Sequence, residues 1–226
     1  MSLNLKEKMT NYPNTKIHNT LPKILRHRSV SMPDTVALRD KDLGIWNEIT
    51  WKQYNNNVSY LALALSKRGF KTGDVIGLIG DNKPSWLYFE LAAQAVGGMS
   101  LGIYRDTLDE EVGYLINAAK VNFVYAEDQE QVDKILTIKR PKNSQITMFY
   151  EDSRGLKELN DPHIVDMLEL MNEGQAIANK TPNKYNQMID KVSDKQDAIL
   201  CTTSGTTSNP KLAMLPGGKF VEHVLR

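Results

Sequence analysis

Four short apolar runs, each followed by residues of helical periodicity, restrict this chain more than any other feature. They are "DVIGLIG" (74–80), "GGMSLGIY" (97–104), "VNFVYAE" (121–127) and "SQITMFYE" (144–151). Each has the length and apolar content of a buried strand. Between the first two, Asn82 and Pro84 start a helix that carries Trp86, Phe89 and Ala93 inward. After the second, Thr107 and Glu110 form a T-x-x-E capping box, in which each side chain satisfies the other's free backbone N–H. The helix behind that box shows Leu108, Val112, Leu115, Ile116 and Ala119 on one stripe. Residues 129–138 make a short helix before the fourth strand. Such alternation means an α/β fold: a layered, mostly parallel sheet with flanking helices and right-handed crossovers. Ligands of open sheets of this type sit beyond the carboxyl ends of the strands.

Residues 1–20 are polar and read as an arm. "TVALRDKD" and "GIWNEITW" alternate about a turn near Asp42–Gly44 and predict a hairpin. Tyr54, Val58, Leu61 and Leu65 follow on one helical face, with Gly69 as the stop. In residues 151–196, Ile164, Met167, Leu168 and Met171 have helical spacing. That region reads as one docked helix between two loops. "DAILCTT" is a fifth strand.

Charge excludes some partners. The chain has 28 Lys+Arg against 27 Asp+Glu, so no global basic field points to nucleic acid. No segment approaches the roughly 18 apolar residues of a membrane span. The single cysteine, Cys201, cannot form a disulfide within the chain, and a cytoplasmic setting is expected. Cys201 reads as a small apolar residue in a buried strand. His18, His27 and His163 have no metal-ligand spacing, and His223 stands apart from them. Trp46, Trp51 and Trp86 read as packing residues. The basic run "KILRHR" at 23–28 reads as a solvated helix face, with weak peripheral membrane association as the alternative.

The fifth strand feeds the least ordinary loop, "LCTTSGTTSNPKLAML" (200–215). Phosphate binding needs clustered donors, small residues that let the backbone approach, and a cation. Thr203, Ser204, Thr206, Thr207 and Ser208 offer hydroxyls, Gly205 close approach, and Lys211 a charge; Pro210 stiffens the exit. A Walker loop would be followed by a helix, whereas "KLAML" reads as a strand. On composition alone, a polar hairpin turn and a phosphate-holding loop both remain open.

In its order of residues, "LCTTSGTTSNPK" resembles the phosphate-loop signature of the adenylate-forming enzymes, [ST]-[ST]-G-[ST]-T-G-x-P-K after an apolar residue. The upstream stretch "RGFKTGDVIGLIGDNKPSWLYFELAAQAVGGMSLGIY" is similar to the family's G-D-x-V, N-x-P-x-W and A-x-x-x-G-G series. "EEVGYLINAAKVNFVYAEDQEQVDKIL" and "EDSRGLKELNDP" resemble segments of the long-chain fatty-acid–CoA ligase branch. The resemblance runs from about Leu21 to Leu215, so residues 21–226 read as the N-terminal portion of a truncated AMP-binding synthetase domain.

The resemblance implies ATP-dependent activation of a long-chain fatty acid, first to acyl-adenylate and then to acyl-CoA, with ATP, Mg2+ and coenzyme A taking part. Thr203, Ser204, Gly205, Thr206, Thr207, Ser208 and Lys211 would line the phosphates, and Thr203 would also reach magnesium. The family's other catalytic groups lie downstream of Arg226, so the chain alone is expected not to turn over. Ser208 replaces the usual Gly, Leu212-Ala213 replaces Gly-Val, and Pro216-Gly217 replaces Ser/Thr-His. Two other readings stand beside this one: a non-catalytic nucleotide-binding or interaction module that keeps the fold, and adenylation of an aryl or amino acid.

Overall fold

The structure, a computed structural model, describes residues 13–139, 144–203 and 210–224. A helix α1 (Leu21–Ser31) leads into an antiparallel hairpin, β1 (Val36–Asp42) and β2 (Ile45–Thr50). Helix α2 (Trp51–Lys67) follows directly. Its start is fixed by Thr50, whose hydroxyl accepts from the Gln53 N–H at 3.3 Å, while the Gln53 side chain accepts from the Thr50 N–H at 2.8 Å.

The main body is a seven-stranded sheet. Its strands are β3 (Val75–Gly80), β4 (Met99–Tyr104), β5 (Phe123–Ala126), β6 (Thr147–Tyr150), β7 (Ile164–Asp166), β8 (Asp197–Thr203) and β9 (Lys211–Pro216). The order across the sheet is β7-β6-β5-β3-β4-β8-β9. All neighbours are parallel except β8 and β9, which form an antiparallel pair at one edge. The expected α/β architecture is the one observed.

Alternation along β3 shows how the sheet builds two cores. Ile76 and Leu78 point to one face, packed with α2, α3 (Pro84–Val96), α6 (Met167–Lys180) and α7 (Lys184–Asp190). Val75 and Ile79 point to the other, packed with α4 (Asp109–Ala118) and α5 (Gln129–Leu136). Helix α2 exceeds its expected single buried face: Leu61 to Leu65 are all buried, because the helix is enclosed by α1, α3 and α6. The two helices meet where a Cβ at Gly174 would stand 1.8 Å from the Tyr60 carbonyl oxygen.

Some expectations are corrected. The helix after β4 begins at Asp109 with Leu108 as its N-cap, and no side chain caps it. Thr107 falls outside the helix because its N–H is spent in a turn on the Tyr104 carbonyl. Asp109, Glu110 and Glu111 instead complement the helix dipole. Leu108 is exposed rather than part of the stripe. The helix after β3 starts at Pro84 with Lys83, not Asn82, as N-cap. Residues 151–196 hold more than one helix: Ile164 lies in edge strand β7, Asp166 caps α6 by accepting from the Leu168 N–H at 2.7 Å, and α7 follows. Leu168 is exposed and Cys201 only half-buried. Helix α8 (Gly217–Val224) closes the described chain. No helix among the described residues is long and apolar enough to cross a membrane.

Candidate functional site at the carboxyl edge of the sheet

The loop singled out in the sequence leaves the carboxyl end of β8 and returns as β9. Thr203 and Lys211 are cross-strand partners in the last rung before it. Directly opposed residues of an antiparallel pair project to the same face, so the two side chains stand together at the mouth of the loop. The Thr203 hydroxyl donates to the Lys211 carbonyl at 3.4 Å. Both residues are exposed. Ser204, Gly205, Thr206, Thr207 and Ser208 lie outside the described residues.

Beside this mouth, a cavity of about 340 Å³ opens between α3 and the carboxyl halves of β3, β4 and β8. Gly80, Trp86, Glu90, Ser100, Tyr104 and Thr202 are among its walls. Trp86 is half-buried and lies over Gly102, where a Cβ would meet the indole at 3.1 Å. Burial pushes the Glu90 carboxyl above its ordinary range, against the opposing pull of a hydrogen bond from Ser100. Half-buried Cys201 also faces this space.

Next to the cavity, the ends of β3, β4 and β5 carry a polar network that the sequence reading did not single out. Glu127 is 6% exposed and sits one residue past β5. Its carboxylate receives Lys83 Nζ at 2.7 Å and the Asp81 N–H at 2.5 Å. Burial alone would raise the Glu127 carboxyl, but Lys83 and the Asp81 amide outweigh it and hold the group below the usual carboxylate value. Gly80 makes the contact feasible, since any Cβ there would lie 2.6 Å from that of Glu127. Arg105, just past β4, bridges Asp81 at 2.6 Å and Asp128 at 3.3 Å. Its carbonyl accepts from Lys134 Nζ at 2.6 Å. Deeper in, Tyr125 and Ser85 both donate to Glu151 Oε2, at 2.7 and 2.6 Å. For Asp81, Arg105, Glu127, Asp128 and Glu151 the signal is position: each lies just beyond a strand's carboxyl end, where parallel sheets place ligands.

Among the described residues there is no complete ligand set for magnesium. Thr203 supplies one neutral oxygen, and no group of three His, Cys, Asp or Glu among the described residues could hold an ion. His18 and His27 lie with ring centroids 4.4 Å apart in a tilted arrangement, and His163 Nδ1 lies 3.4 Å from the Thr147 hydroxyl.

Comparison with known proteins gives this geometry a context. The model of a family described as AMP-binding enzyme matches residues 25–226. The long-chain-fatty-acid–CoA ligases ACSBG2 of Rattus norvegicus and Homo sapiens are each 29% identical to the chain over 196 residues. That alignment takes in 87% of this chain but only 29% of either relative, so the chain spans less than a third of their length. Among solved structures, the luciferase-like enzyme of the Zophobas morio mealworm superposes with a TM-score of 0.74 at 16% identity, over 94% of this chain and 46% of that one. A fatty acyl-adenylate ligase from L. pneumophila, in complex with acyl adenylate and pyrophosphate, superposes with a TM-score of 0.66 at 17% identity, over 91% of this chain and 32% of that one. At such identities the likeness is one of fold.

Proposed function

The chain belongs to the AMP-binding enzyme family, and on that premise we propose that it supplies the ATP phosphate-binding loop for activation of a long-chain fatty acid to its CoA thioester. The observation that carries this reading is the closing rung of the loop: Thr203 and Lys211 face each other at the carboxyl end of β8, inside the stretch the family model covers. The fatty-acid preference draws its support from the long-chain-fatty-acid–CoA ligases that align over most of this chain.

In the first step a carboxylate oxygen attacks the α-phosphorus of ATP. The bond from that phosphorus to the oxygen bridging to the β-phosphate breaks, and pyrophosphate leaves with the electron pair. In the second step the CoA thiol attacks the acyl carbon and AMP leaves, with the thiol proton passing to solvent or a base. The demand on this chain falls on the leaving group. The Lys211 ammonium, together with Thr203 and the hydroxyls and amides of 204–208, would offset charge gathering on the β- and γ-phosphates. Holding the triphosphate still would also orient the α-phosphorus for attack.

The test is calorimetric titration of the 226-residue chain with pyrophosphate. Lys211→Ala should weaken binding about tenfold, the loss expected when one close charge partner of a phosphate is removed. Equal affinity in both proteins would remove Lys211 from the phosphate site. Fused to the remaining two thirds of a long-chain-fatty-acid–CoA ligase, the chain should support palmitoyl-CoA formation and lose it with Lys211→Ala; by itself it should release no pyrophosphate from ATP and palmitate. A fusion that folds and is indifferent to Lys211 would favour a non-catalytic module.

A further inference from the structure

A further cavity lies at the opposite end of the sheet from the loop. It measures about 570 Å³ and is bounded by the turn before β3, the turn before β4, helix α7 and the residues leading into β8. Seven steps of chain separate Gln196, in its wall, from Thr203, a distance of roughly 23 Å along an extended strand.

Its charge is one-sided. Lys71, Lys184 and Lys191 line it, and no Asp or Glu does. None of the three lysines makes an ion pair among the described residues. Of the carboxylates nearest in sequence, Asp74 accepts from the Lys71 N–H at 2.9 Å, Asp190 pairs with Arg26 at 2.8 Å, and Asp194 accepts from the Ser193 hydroxyl at 3.4 Å. Glu173 pairs with Arg68 and Lys67. The helix carbonyls that end here have hydrogen-bond partners of their own. Phe70 and Gly69 N–H groups cap Leu65 and Ser66 of α2, and Gly98 and Gly97 N–H groups cap Ala93 and Gln94 of α3. The Thr72 hydroxyl donates to the Val96 carbonyl at 3.1 Å.

The floor has a different character. Phe70, Val96, Met188 and Val192 present apolar surface, and Gln187 and Gln196 add amide groups. Behind Gly97, Val192 and Gln196, which both spaces share, lies a second cavity of about 10 Å³, enough for about one water. The Thr20 hydroxyl lines it, is 3% exposed and has no hydrogen-bond partner. A buried hydroxyl without a partner is costly; it faces the small cavity and not the larger one.

We propose that this cavity is a binding site for a small organic phosphate with an apolar body, distinct from the nucleotide loop. The three ammonium groups hold the phosphate as point charges at the rim. The apolar floor takes the body of the ligand, and the Gln187 and Gln196 amides offer it hydrogen bonds. Nothing in this assignment depends on the ATP reading of the loop at 204–210.

Phenyl phosphate is a suitable probe, with inorganic phosphate and benzyl alcohol as its two halves. Amide NMR of the 226-residue chain, titrated with each, should show phenyl phosphate shifting residues 69–73, 96–98 and 184–196. Each half alone should bind more weakly than phenyl phosphate. The shifts should persist in Lys211→Ala, which separates this site from the loop, and should weaken as salt is raised. Lys184→Gln with Lys191→Gln should lower the affinity about tenfold; both residues are exposed, so the fold should survive, and an unchanged melting temperature would verify it. Three results would overturn the proposal: no shifts at these amides up to about 10 mM probe, shifts confined to the Thr203–Lys211 end, or an affinity indifferent to the two lysine changes.

Discussion

Replacing Glu127 by Gln tests whether the polar network holds the carboxyl edge together by charge. The carboxylate is almost wholly buried and receives two short bonds, from Lys83 Nζ at 2.7 Å and the Asp81 N–H at 2.5 Å. Hydrogen bonds to a charged group contribute about 1.5–3 kcal/mol each, and about half of that survives when the partner is neutral. Gln keeps the shape and can still accept, so the loss is about half of the pair's total, or about 2 kcal/mol. Lys83 remains partly in water, which limits the cost of leaving its charge unmatched. For a chain of this size that corresponds to a fall in melting temperature of about 4–8 °C at pH 7. The pH dependence is the sharper part. The native carboxyl titrates below its ordinary value. Its contribution is therefore complete above the unfolded carboxylate value of about 4.3 and is lost as pH falls through the lower native value. Thermal melts followed by circular dichroism should show the gap between wild type and Glu127→Gln holding from pH 7 down to about 4.3 and narrowing at pH 3.5. A gap of the same size at both pH values, or a fall below about 1 °C at pH 7, would refute the charge-based account.

Other expectations follow from single contacts. Gly174→Ala would drive a Cβ to 1.8 Å from the Tyr60 carbonyl oxygen, between two helices that are both held by the core. It should destabilise by about 2–3 kcal/mol, read by urea denaturation; a neutral outcome would mean α6 does not seat on α2 as described. Thr50→Ala removes one half of a reciprocal cap and should cost about 1 kcal/mol in the same assay, without affecting pyrophosphate binding. Lys211→Ala should do the reverse, weakening pyrophosphate about tenfold while leaving the urea midpoint in place, because the residue is exposed and lies beside the loop.

The strands and main helices were legible because each declares itself over a few residues. "DVIGLIG" and "VNFVYAE" have too many consecutive apolar residues for a half-exposed strand, and Tyr54, Val58, Leu61 and Leu65 mark a helix by spacing alone. The errors fall where two local signals overlap. Ile164 shares helical spacing with Met167 and Met171, yet it belongs to a three-residue strand that stops at Asp166, the cap of the next helix. Thr107 and Glu110 satisfy the pattern of a capping box, but Thr107 is used in the preceding turn, and a motif cannot show which competitor takes the N–H.

The network around Glu127 was hidden for another reason. Asp81 and Glu127 are 46 residues apart, and Arg105 and Asp81 are 24 apart. Which of them meet depends on the order β5-β3-β4, and apolar strands of similar composition carry little information about their neighbours. Had β3 lain at an edge, one of these partners would have been lost. One trace of the order does exist in the sequence. Run "VIGLIG" contains two glycines whose demands differ. Gly77 turns to the second core, where a Cβ would press on Ile116 at 3.2 Å, a contact a small shift could relieve. Gly80 faces Glu127, where a Cβ would overlap at 2.6 Å and displace the carboxylate from Lys83. Gly80, which closes β3, thus stands where the chain just past β5 delivers the Glu127 side chain across the carboxyl edge. The same physics sets the loop apart from the network. Thr203 and Lys211 come from consecutive strands joined by a short connection, so their meeting is local and could be read, whereas Lys83 and Glu127 meet only because the sheet places β5 beside β3.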